Sequence, residues 1–345
     1  MQESPDPTPH AFRTSVDPPY DTMADGSPPA EITKPASDAT PELAPAPVPG
    51  DLAKQWRPMK VGTPAPVFEP KPPSGLSYRP DTVCDGWSTE ALHLRLASVR
   101  GLQHRFDGRP REDDVAAACD SMTRTVVFAV ADGVSGARQP HIGSQLACRS
   151  AVDEMLAQVQ GDGGGYVPDW DKVLSTVHWQ LLEQARRILR HPDAGPKDTA
   201  ELLATTLVAG TATPTGRGVD IQLISVGDSG AWQIQHERFY RLVGGKSAGA
   251  DGLISCAVDP LPFLPSSVIR PLSFGLEQGT VLLVGTDGFG DPLGDGTGAV
   301  ARLFYDRLRS PIPPLSFAHL LDFSRETFDD DRTLIALWPR ATEVP

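Results

Sequence analysis

The sequence predicts an α+β domain in which a sheet core, largely antiparallel, is flanked by helices. Two observations lead to this prediction. Many strand-like segments follow one another along the chain, and the helix-like segments are grouped instead of alternating with single strands. With 345 residues, of which 39% are hydrophobic, the chain is long enough to bury a substantial core.

The strand predictions rest on apolar runs and on alternation. Residues 92–99 alternate leucine with His, Arg and Ala, which is typical of a half-buried strand, whereas residues 125–131 (TVVFAVA) indicate a fully buried one. Further strands are predicted at residues 115–119, 204–213, 219–234 (two strands around a tight turn), 238–243, 279–289 and 331–338.

The helix predictions rest on apolar residues at helical spacing. Residues 142–159 and 170–190 show this spacing over several turns, which predicts two long amphipathic helices. Shorter helices are predicted at residues 299–308 and 314–326.

The first 85 residues differ in composition from the rest. Residues 1–80 contain about half of the 35 prolines, mixed with Ser, Thr, Ala, Asp and Glu. Such a composition cannot bury enough apolar surface to offset the entropy of ordering, so we predict a disordered, proline-rich arm at 1–85. A spacer is the simplest role for it, and a docking segment for a proline-recognising partner is the alternative. The folded domain is predicted at residues 86–341.

Charge and composition exclude several classes of function. The net charge is −13 and no basic block is present, which argues against nucleic acid and anionic membranes as partners. No apolar stretch is long enough to span a bilayer, and no secretory signal is visible at the start. The four scattered cysteines suggest neither a zinc site nor a disulfide framework. These features predict a cytoplasmic protein.

Acidic residues recur at the ends of the apolar strands, and two of them are followed directly by glycine. Taken singly, each is explained as an ordinary turn residue or helix cap. Five such strand ends in one chain suggest that several carboxylates meet, which is costly unless some of them are protonated or cations bind between them. Mg²⁺ and Mn²⁺ prefer such all-oxygen ligands. The acids in these positions are Asp113, Asp114, Asp132, Asp228, Asp287, Asp329, Asp330 and Asp331.

The same segments, in the same order, resemble the PP2C (PPM) family of metal-dependent protein serine/threonine phosphatases. ASVRGLQHRFDGRPREDD is similar to the opening strand and Arg-x-x-Asn-Glu-Asp element of that family, and VADGVSG to its DG-x-GG element. ATTLVAGTA, VGDSGAW, VGTDGF and DDDRTLIAL are similar to its GTTLV, GDSR, SDG and DN-x-T elements. The resemblance covers about residues 90–340. It implies a bacterial-type member with a layered α-β-β-α sandwich of two largely antiparallel sheets.

The resemblance also implies a role for each matching acid. Asp132 would bridge two metal ions, and the backbone carbonyl of Gly133 would help to hold one of them. Asp113 corresponds to the first acidic ligand, with Asp114 beside it either as a ligand or one layer further out. Asp287 and Asp330 would complete the second ion's ligands.

Further implications concern a third ion, the phosphate and the reaction. Asp228 would share a third, weaker ion with Asp287, so that the implied cofactors are two or three Mg²⁺ or Mn²⁺ ions. Arg109 would bind phosphate, with Arg111 competing for the role. The implied reaction is direct attack of a metal-bridging hydroxide on the phosphorus of phosphoserine or phosphothreonine, with Asp132, Asp287 and Asp330 as the catalytic acids.

Three residues depart from the family pattern. Val134 occupies the position where some members carry a histidine proposed as the general acid, Ser135 replaces a glycine, and Gly230 replaces the arginine of GDSR. His104 is the nearest substitute for the histidine by sequence, although a structural hydrogen bond at a strand end is the favoured explanation of it. None of the three departures removes an acid.

The expected partners are phosphoprotein substrates and a cognate serine/threonine kinase in a signalling route. The alternative is a weak or inactive PP2C-like regulatory module that binds phosphoprotein partners. A third possibility is a scaffold in which the proline-rich arm dominates.

Overall fold

The computed structural model describes residues 56–73, 79–161, 167–216, 218–244, 247–248, 254–255, 260–265 and 270–340. Most of the predicted arm at 1–85 therefore lies outside the described residues, and its disorder stays a prediction. Secondary structure is already present at Thr82, where the first strand begins.

A five-stranded antiparallel sheet forms one half of the core. An interior strand of this sheet, Val126–Ala131, explains the continuously apolar TVVFAVA segment: Val126, Phe128 and Val130 face one side, and Val127 and Ala129 face the other, all of them buried. In spatial order, the strands of this sheet are β11 (Leu272–Leu276), β6 (Gly218–Val226), β5 (Leu207–Thr215), β4 (Val126–Ala131) and β3 (Asp114–Cys119).

A six-stranded antiparallel sheet forms the other half. The alternation in LHLRLASV places Leu92, Leu94 and Leu96 in the layer between the two sheets. In spatial order, its strands are β1 (Thr82–Ser88), β2 (Leu92–Val99), β13 (Arg332–Pro339), β12 (Val281–Gly285), β7 (Gly230–Gln235) and β8 (Arg238–Val243). A separate two-stranded ribbon pairs β9 (Ser247–Ala248) with β10 (Ile254–Ser255).

Seven helices are present in the described part of the chain. They are α1 (Leu102–Asp107), α2 (Pro140–Gly161), α3 (Trp170–Leu189), α4 (Pro196–Leu203), α5 (Asp287–Leu293), α6 (Ala299–Arg307) and α7 (Pro314–Leu321). None of these described helices combines the length and the apolar character needed to cross a bilayer.

Three apolar clusters hold the layers together. One joins α2, α3 and α4 to the outer face of the five-stranded sheet, and a second joins α5, α6 and α7 to the outer face of the six-stranded sheet. The third lies between the two sheets. The predicted α+β fold with an α-β-β-α layering is confirmed.

The structure adds elements and corrects two boundaries. The strand β1, the helices α1 and α4 and the strand β11 were not predicted from the sequence. The helix predicted at 314–326 ends at Leu321, and the strand predicted at 279–289 ends at Gly285, because Asp287 already begins α5.

Candidate metal centre

The register of the strands brings the acid-bearing strand ends to one pole of the sandwich. In the five-stranded sheet, Asp114 at the start of β3 pairs with Ala131 at the end of β4. In the six-stranded sheet, Gly285 at the end of β12 pairs with Gly230 at the start of β7. A hydrogen bond of 2.7 Å from the Thr286 hydroxyl to Asp113 joins the two sheets at this pole.

Four carboxylates meet there: Asp113, Asp132, Asp287 and Asp330. Asp132 lies in the middle, because its carboxyl shares a hydrogen bond with that of Asp287 and is close enough to Asp113 and Asp330 for repulsion. Desolvation by the surrounding protein raises the pKa of Asp132 well above its ordinary value, and the charges of these three neighbours raise it further.

Burial and neighbouring charges also raise the pKa values of the other acids. Burial raises the pKa of Asp113 well above its ordinary value, and the charges of Asp331 and Asp330 add to the effect. Burial also raises the pKa of Asp287 to about 6, against a hydrogen bond with Asp132 that lowers it, and Asp228 contributes repulsion. Asp330 is the most solvent-exposed of the four. The structure thus places Asp228 next to the group, alongside Asp287.

Hydroxyl groups hold the backbone of Asp132 in place. The carbonyl of Asp132 accepts hydrogen bonds of 2.8 Å from the Thr205 hydroxyl and from the Thr206 backbone N–H. Its backbone N–H donates to the Thr206 hydroxyl at 3.0 Å, and that hydroxyl lies 2.7 Å from the hydroxyl of Ser229. Sequence analysis did not identify these residues, since threonine in a strand is already explained by β-propensity.

Glycines allow the acid-bearing segments to approach each other. A Cβ on Gly101 would overlap the backbone of Asp330, and one on Gly288 would overlap the carbonyl of Asp331. A Cβ on Gly133 would lie 2.6 Å from the carbonyl of Pro140, at the start of α2. A side chain at any of these three positions would therefore push the loops of the site apart.

His104 and Asp331 form a buried ion pair behind the cluster, with Nδ1 of His104 lying 2.9 Å from Oδ1 of Asp331. Burial alone would lower the pKa of His104, but the hydrogen bond and charge of Asp331 raise it to about 9. One ligand atom from each of His104, Asp330 and Asp331 lies within 4.8 Å of the others. His104 is buried and its two ring nitrogens face carboxylates, Asp331 at 2.9 Å and Glu112 at 3.7 Å, so the geometry favours the structural explanation of His104.

Asp114 is turned towards arginines. Its carboxylate lies 3.2 Å from Nη1 of Arg79 and 3.7 Å from Nη1 of Arg111. Asp114 is therefore engaged by two arginines, and its place as a ligand or one layer further out stays a prediction.

The chemistry of the donors fits a hard divalent cation. Four carboxylates meet where desolvation and mutual repulsion raise the pKa values of at least three of them, and a positive ion between them would remove this cost. All of these donors are oxygen atoms, which Mg²⁺ and Mn²⁺ prefer.

The comparisons agree with this geometry. A family model described as Protein phosphatase 2C matches residues 100–314, which is more than half of the chain. The chain belongs to the protein phosphatase 2C family. Asp113, Asp132, Asp228 and Asp287 lie inside the matched region of this family, and Asp330 lies beyond it.

Solved structures similar to this phosphatase-family chain share little sequence with it. RsbX in complex with magnesium is 12% identical over 75% of this chain and 100% of that one, with a TM-score of 0.47. PppA from Pseudomonas aeruginosa is 14% identical over 74% and 100% (TM-score 0.46). The catalytic domain of PstP in complex with two manganese ions is 17% identical over 73% and 99% (TM-score 0.46). No curated protein matches the chain at a significant level.

The two arginines that are candidates for binding phosphate, Arg109 and Arg111, occupy different environments. Arg111 is only 2% exposed and donates to the carbonyl of Asp113 at 3.0 Å, so its guanidinium is committed to the fold. The side chain of Arg109 is 37% exposed and lies 2.8 Å from Glu112 and 3.3 Å from the carbonyl of Ser135, beside the Asp132-Gly133 loop. Of the two, Arg109 is the one that solvent and ligands can reach.

The departures from the family pattern have local explanations. A side chain at Gly230 would meet the carbonyl of Val243 at 2.9 Å and the ring of Trp232 at 3.0 Å, so an arginine does not fit here. Val134 donates its backbone N–H to the carbonyl of Ala204 at 2.9 Å, and Ser135 is exposed. The Asp132-Gly133 loop therefore keeps its backbone anchors.

The Thr286 hydroxyl offers a test of how the site is supported. Replacing it in a Thr286→Val variant removes the 2.7 Å hydrogen bond to Asp113 while keeping the shape of the side chain. We expect about 10-fold weaker Mn²⁺ binding, because groups that orient metal ligands typically contribute this much. Calorimetric titration of Mn²⁺ measures the change, and unaltered affinity would contradict the role given to Thr286.

Proposed function

We propose that this protein hydrolyses phosphoserine and phosphothreonine in proteins, in a reaction that depends on divalent cations. The observation that carries the proposal is the convergence of Asp113, Asp132, Asp287 and Asp330 from four separate strand ends at one pole. Carboxylates that are crowded together, with pKa values raised by desolvation and repulsion, destabilise a fold unless they are protonated or bind cations.

Two ions would be held by these four acids, with Asp132 between them and the carbonyl of Gly133 as a further donor. Asp228 and Asp287 would hold a third, weaker ion. When bound, such ions activate water for attack on phosphorus and offset the charge of the phosphoryl group.

Arg109 would position the substrate. Its guanidinium presents a fixed set of donors that matches two phosphate oxygens. Glu112 accepts from Arg109 at 2.8 Å on one side, which limits the directions that the arginine can adopt. The remaining donors of Arg109 would orient the phosphate with respect to the clustered acids.

The substrates would be phosphoproteins generated by a serine/threonine kinase in the same signalling route in the cytoplasm. Membership of the protein phosphatase 2C family supports the class of substrate. The proline-rich segment before residue 56 would add a docking site for a proline-recognising partner.

Metal removal tests the proposed reaction. We expect the purified chain to release phosphate from phosphothreonine peptides with Mn²⁺, to lose this activity in EDTA, and to recover it when Mn²⁺ is restored in excess. A phosphotyrosine peptide of the same sequence is the matched control and should react more slowly. Phosphate release is measured directly.

The alternative function gives a different result in the same experiment. A regulatory module would bind the phosphothreonine peptide but release no phosphate at any Mn²⁺ concentration. That outcome would contradict the proposed hydrolase activity and support the binding module.

A further inference from the structure

The segment at residues 56–73, here called the N-terminal strap, is built into the fold although it precedes the family match. Its first part runs parallel to the chain at Ser324: Val61 N–H donates to the Ser324 carbonyl at 3.0 Å, and Ser324 N–H donates to the Met59 carbonyl at 2.7 Å. Met59 packs against the apolar cluster under α6 and α7, and Val61 belongs to that cluster and is 6% exposed.

Two more bonds extend this contact along the strap. Glu326 N–H donates to the Thr63 carbonyl at 2.7 Å, and Ala65 N–H donates to the Ser324 hydroxyl at 3.0 Å. The strap therefore fixes residues 324–326, which lead directly into the loop that carries Asp330.

The end of the strap holds α1. Lys71 N–H donates to the Arg105 carbonyl at 2.9 Å, and the Arg100 guanidinium donates to the Lys71 carbonyl at 3.1 Å. The ring of Phe68 packs edge-on against Phe106 with centroids 5.5 Å apart, and the Lys71 ammonium lies 4.6 Å from the centroid of Phe106.

The helix α1 in turn touches the Asp330 loop. Gln103 N–H donates to the Asp329 carbonyl at 2.9 Å, and Gly101, just before α1, lies against the backbone of Asp330. The strap thus restrains both neighbours of Asp330, the preceding chain and the helix packed against it.

Arg79 restrains the other side of the site. Its guanidinium donates to the carbonyl of Arg111 at 3.0 Å and to the carbonyl of Asp113 at 2.9 Å, and it pairs with the Asp114 carboxylate at 3.2 Å. The side chain of Arg79 is only 6% exposed, so these three contacts are shielded from water.

We propose that the N-terminal strap and Arg79 are positioning groups of the metal centre, which fix the backbone at Asp330 and Asp113. The proposal rests on the proposed function, because that function makes these two acids metal ligands. It extends the catalytic domain from residue 86 back to include residues 56–73, so the strap becomes part of the enzyme and not part of the arm.

Point variants of the full chain test this role through Mn²⁺ affinity, measured by calorimetric titration without any substrate. Val61→Asp buries an unpaired carboxylate and should release the strap, whereas Val67→Asp places the same charge at a fully exposed position of the same strap. Arg79→Lys keeps the charge, but one ammonium group cannot reach all three acceptors that the guanidinium of Arg79 spans. We expect Val61→Asp and Arg79→Lys to weaken Mn²⁺ binding about 10-fold, and Val67→Asp to leave it unchanged.

Circular dichroism at the titration temperature establishes that each variant is folded, and Arg79→Lys decides alone if Val61→Asp fails to fold. If a folded variant is less stable but binds Mn²⁺ as tightly as the parent chain, the contact that it lacks is purely structural. Parent-like affinity in Arg79→Lys and in folded Val61→Asp, together with lost binding in Asp132→Asn, overturns the positioning role and leaves the proposed function standing. Parent-like affinity in Asp132→Asn overturns both.

Discussion

An Asp132→Asn variant is expected to lose at least about 10³-fold in phosphatase activity while keeping its fold. Asp132 is the acid that contacts or repels all three others, so its charge is central to any cation held among them. Loss of one such ligand removes several kcal/mol of transition-state stabilisation, and about 4 kcal/mol corresponds to 10³-fold in rate. Initial rates on a phosphothreonine peptide at saturating Mn²⁺ measure the effect.

The same variant is expected to be more stable than the parent chain when metal is absent. Desolvation and three neighbouring carboxylates raise the pKa of Asp132, so its ionised form opposes folding near neutral pH. An uncharged amide removes this opposition, and we expect the midpoint of thermal unfolding in EDTA to rise. In Mn²⁺ the order reverses, because the parent chain binds the ion more tightly.

Asp220→Asn provides the matched control, since it removes one charge from an exposed position far along β6 from the site. It should change neither the activity nor the midpoint in EDTA. Should Asp132→Asn prove less stable than the parent chain in EDTA, the carboxylates would not be crowded, and the basis of the metal centre would fail.

Strand patterns predicted that acids at strand ends could meet, and the family resemblance selected the four that do. Continuous apolar runs identified the buried strands, with Asp132 and Asp287 after such a run and Asp113 and Asp330 before one. The pole itself follows from antiparallel pairing, which brings the end of one strand beside the start of the next. The sequence could not show which orientation each side chain takes.

The run Asp329–Asp331 illustrates this limit. Three identical residues precede β13, yet they differ in burial: Asp329 is half-buried, Asp330 is exposed and Asp331 is buried. Asp331 is 2% exposed and lies 2.9 Å from His104, while the charge of Asp330 raises the pKa of Asp132. Composition and spacing are the same for all three, so the family resemblance was needed to select Asp330 as a ligand, and the packing of Gly101 and His104 shows the role of Asp331.

The N-terminal strap was missed for a different reason. Its prolines and scattered polar residues are typical of a disordered segment, and only Met59 and Val61 pack against the core. Its order comes from backbone hydrogen bonds to Ser324 and from contacts with α1, which leave no periodic signal in the sequence. The strand β1 was also not predicted, because Asp85-Gly86 in its middle is typical of a turn.

Replacing Asp331 by alanine is expected to cause the largest loss of stability of any single change near the site. The carboxylate of Asp331 accepts hydrogen bonds from the backbone N–H groups of Gly101 (2.6 Å) and Glu112, and it pairs with His104. Burial alone would raise the pKa of Asp331, but these partners hold it below its usual range.

Asp331→Ala leaves the buried His104 with only the more distant carboxylate of Glu112, 3.7 Å away, and two backbone donors without an acceptor. Breaking such a buried pair from one side typically costs about 3–5 kcal/mol. We therefore expect the free energy of unfolding, measured by urea titration in EDTA, to fall by about this amount. Asp329→Ala, at a neighbouring residue whose described hydrogen bond is made by the backbone carbonyl, should change it by less than about 1 kcal/mol.

A double-mutant cycle with His104→Ala separates the ion pair from the backbone bonds. His104→Ala alone should cost less than Asp331→Ala, because Asp331 keeps its backbone donors. Once His104 is gone, Asp331→Ala should cost less than it does in the parent chain, since no buried cation is then left unpaired. Strictly additive losses would mean that the two side chains do not interact, and that the aspartate before β13 supports the fold through the backbone alone.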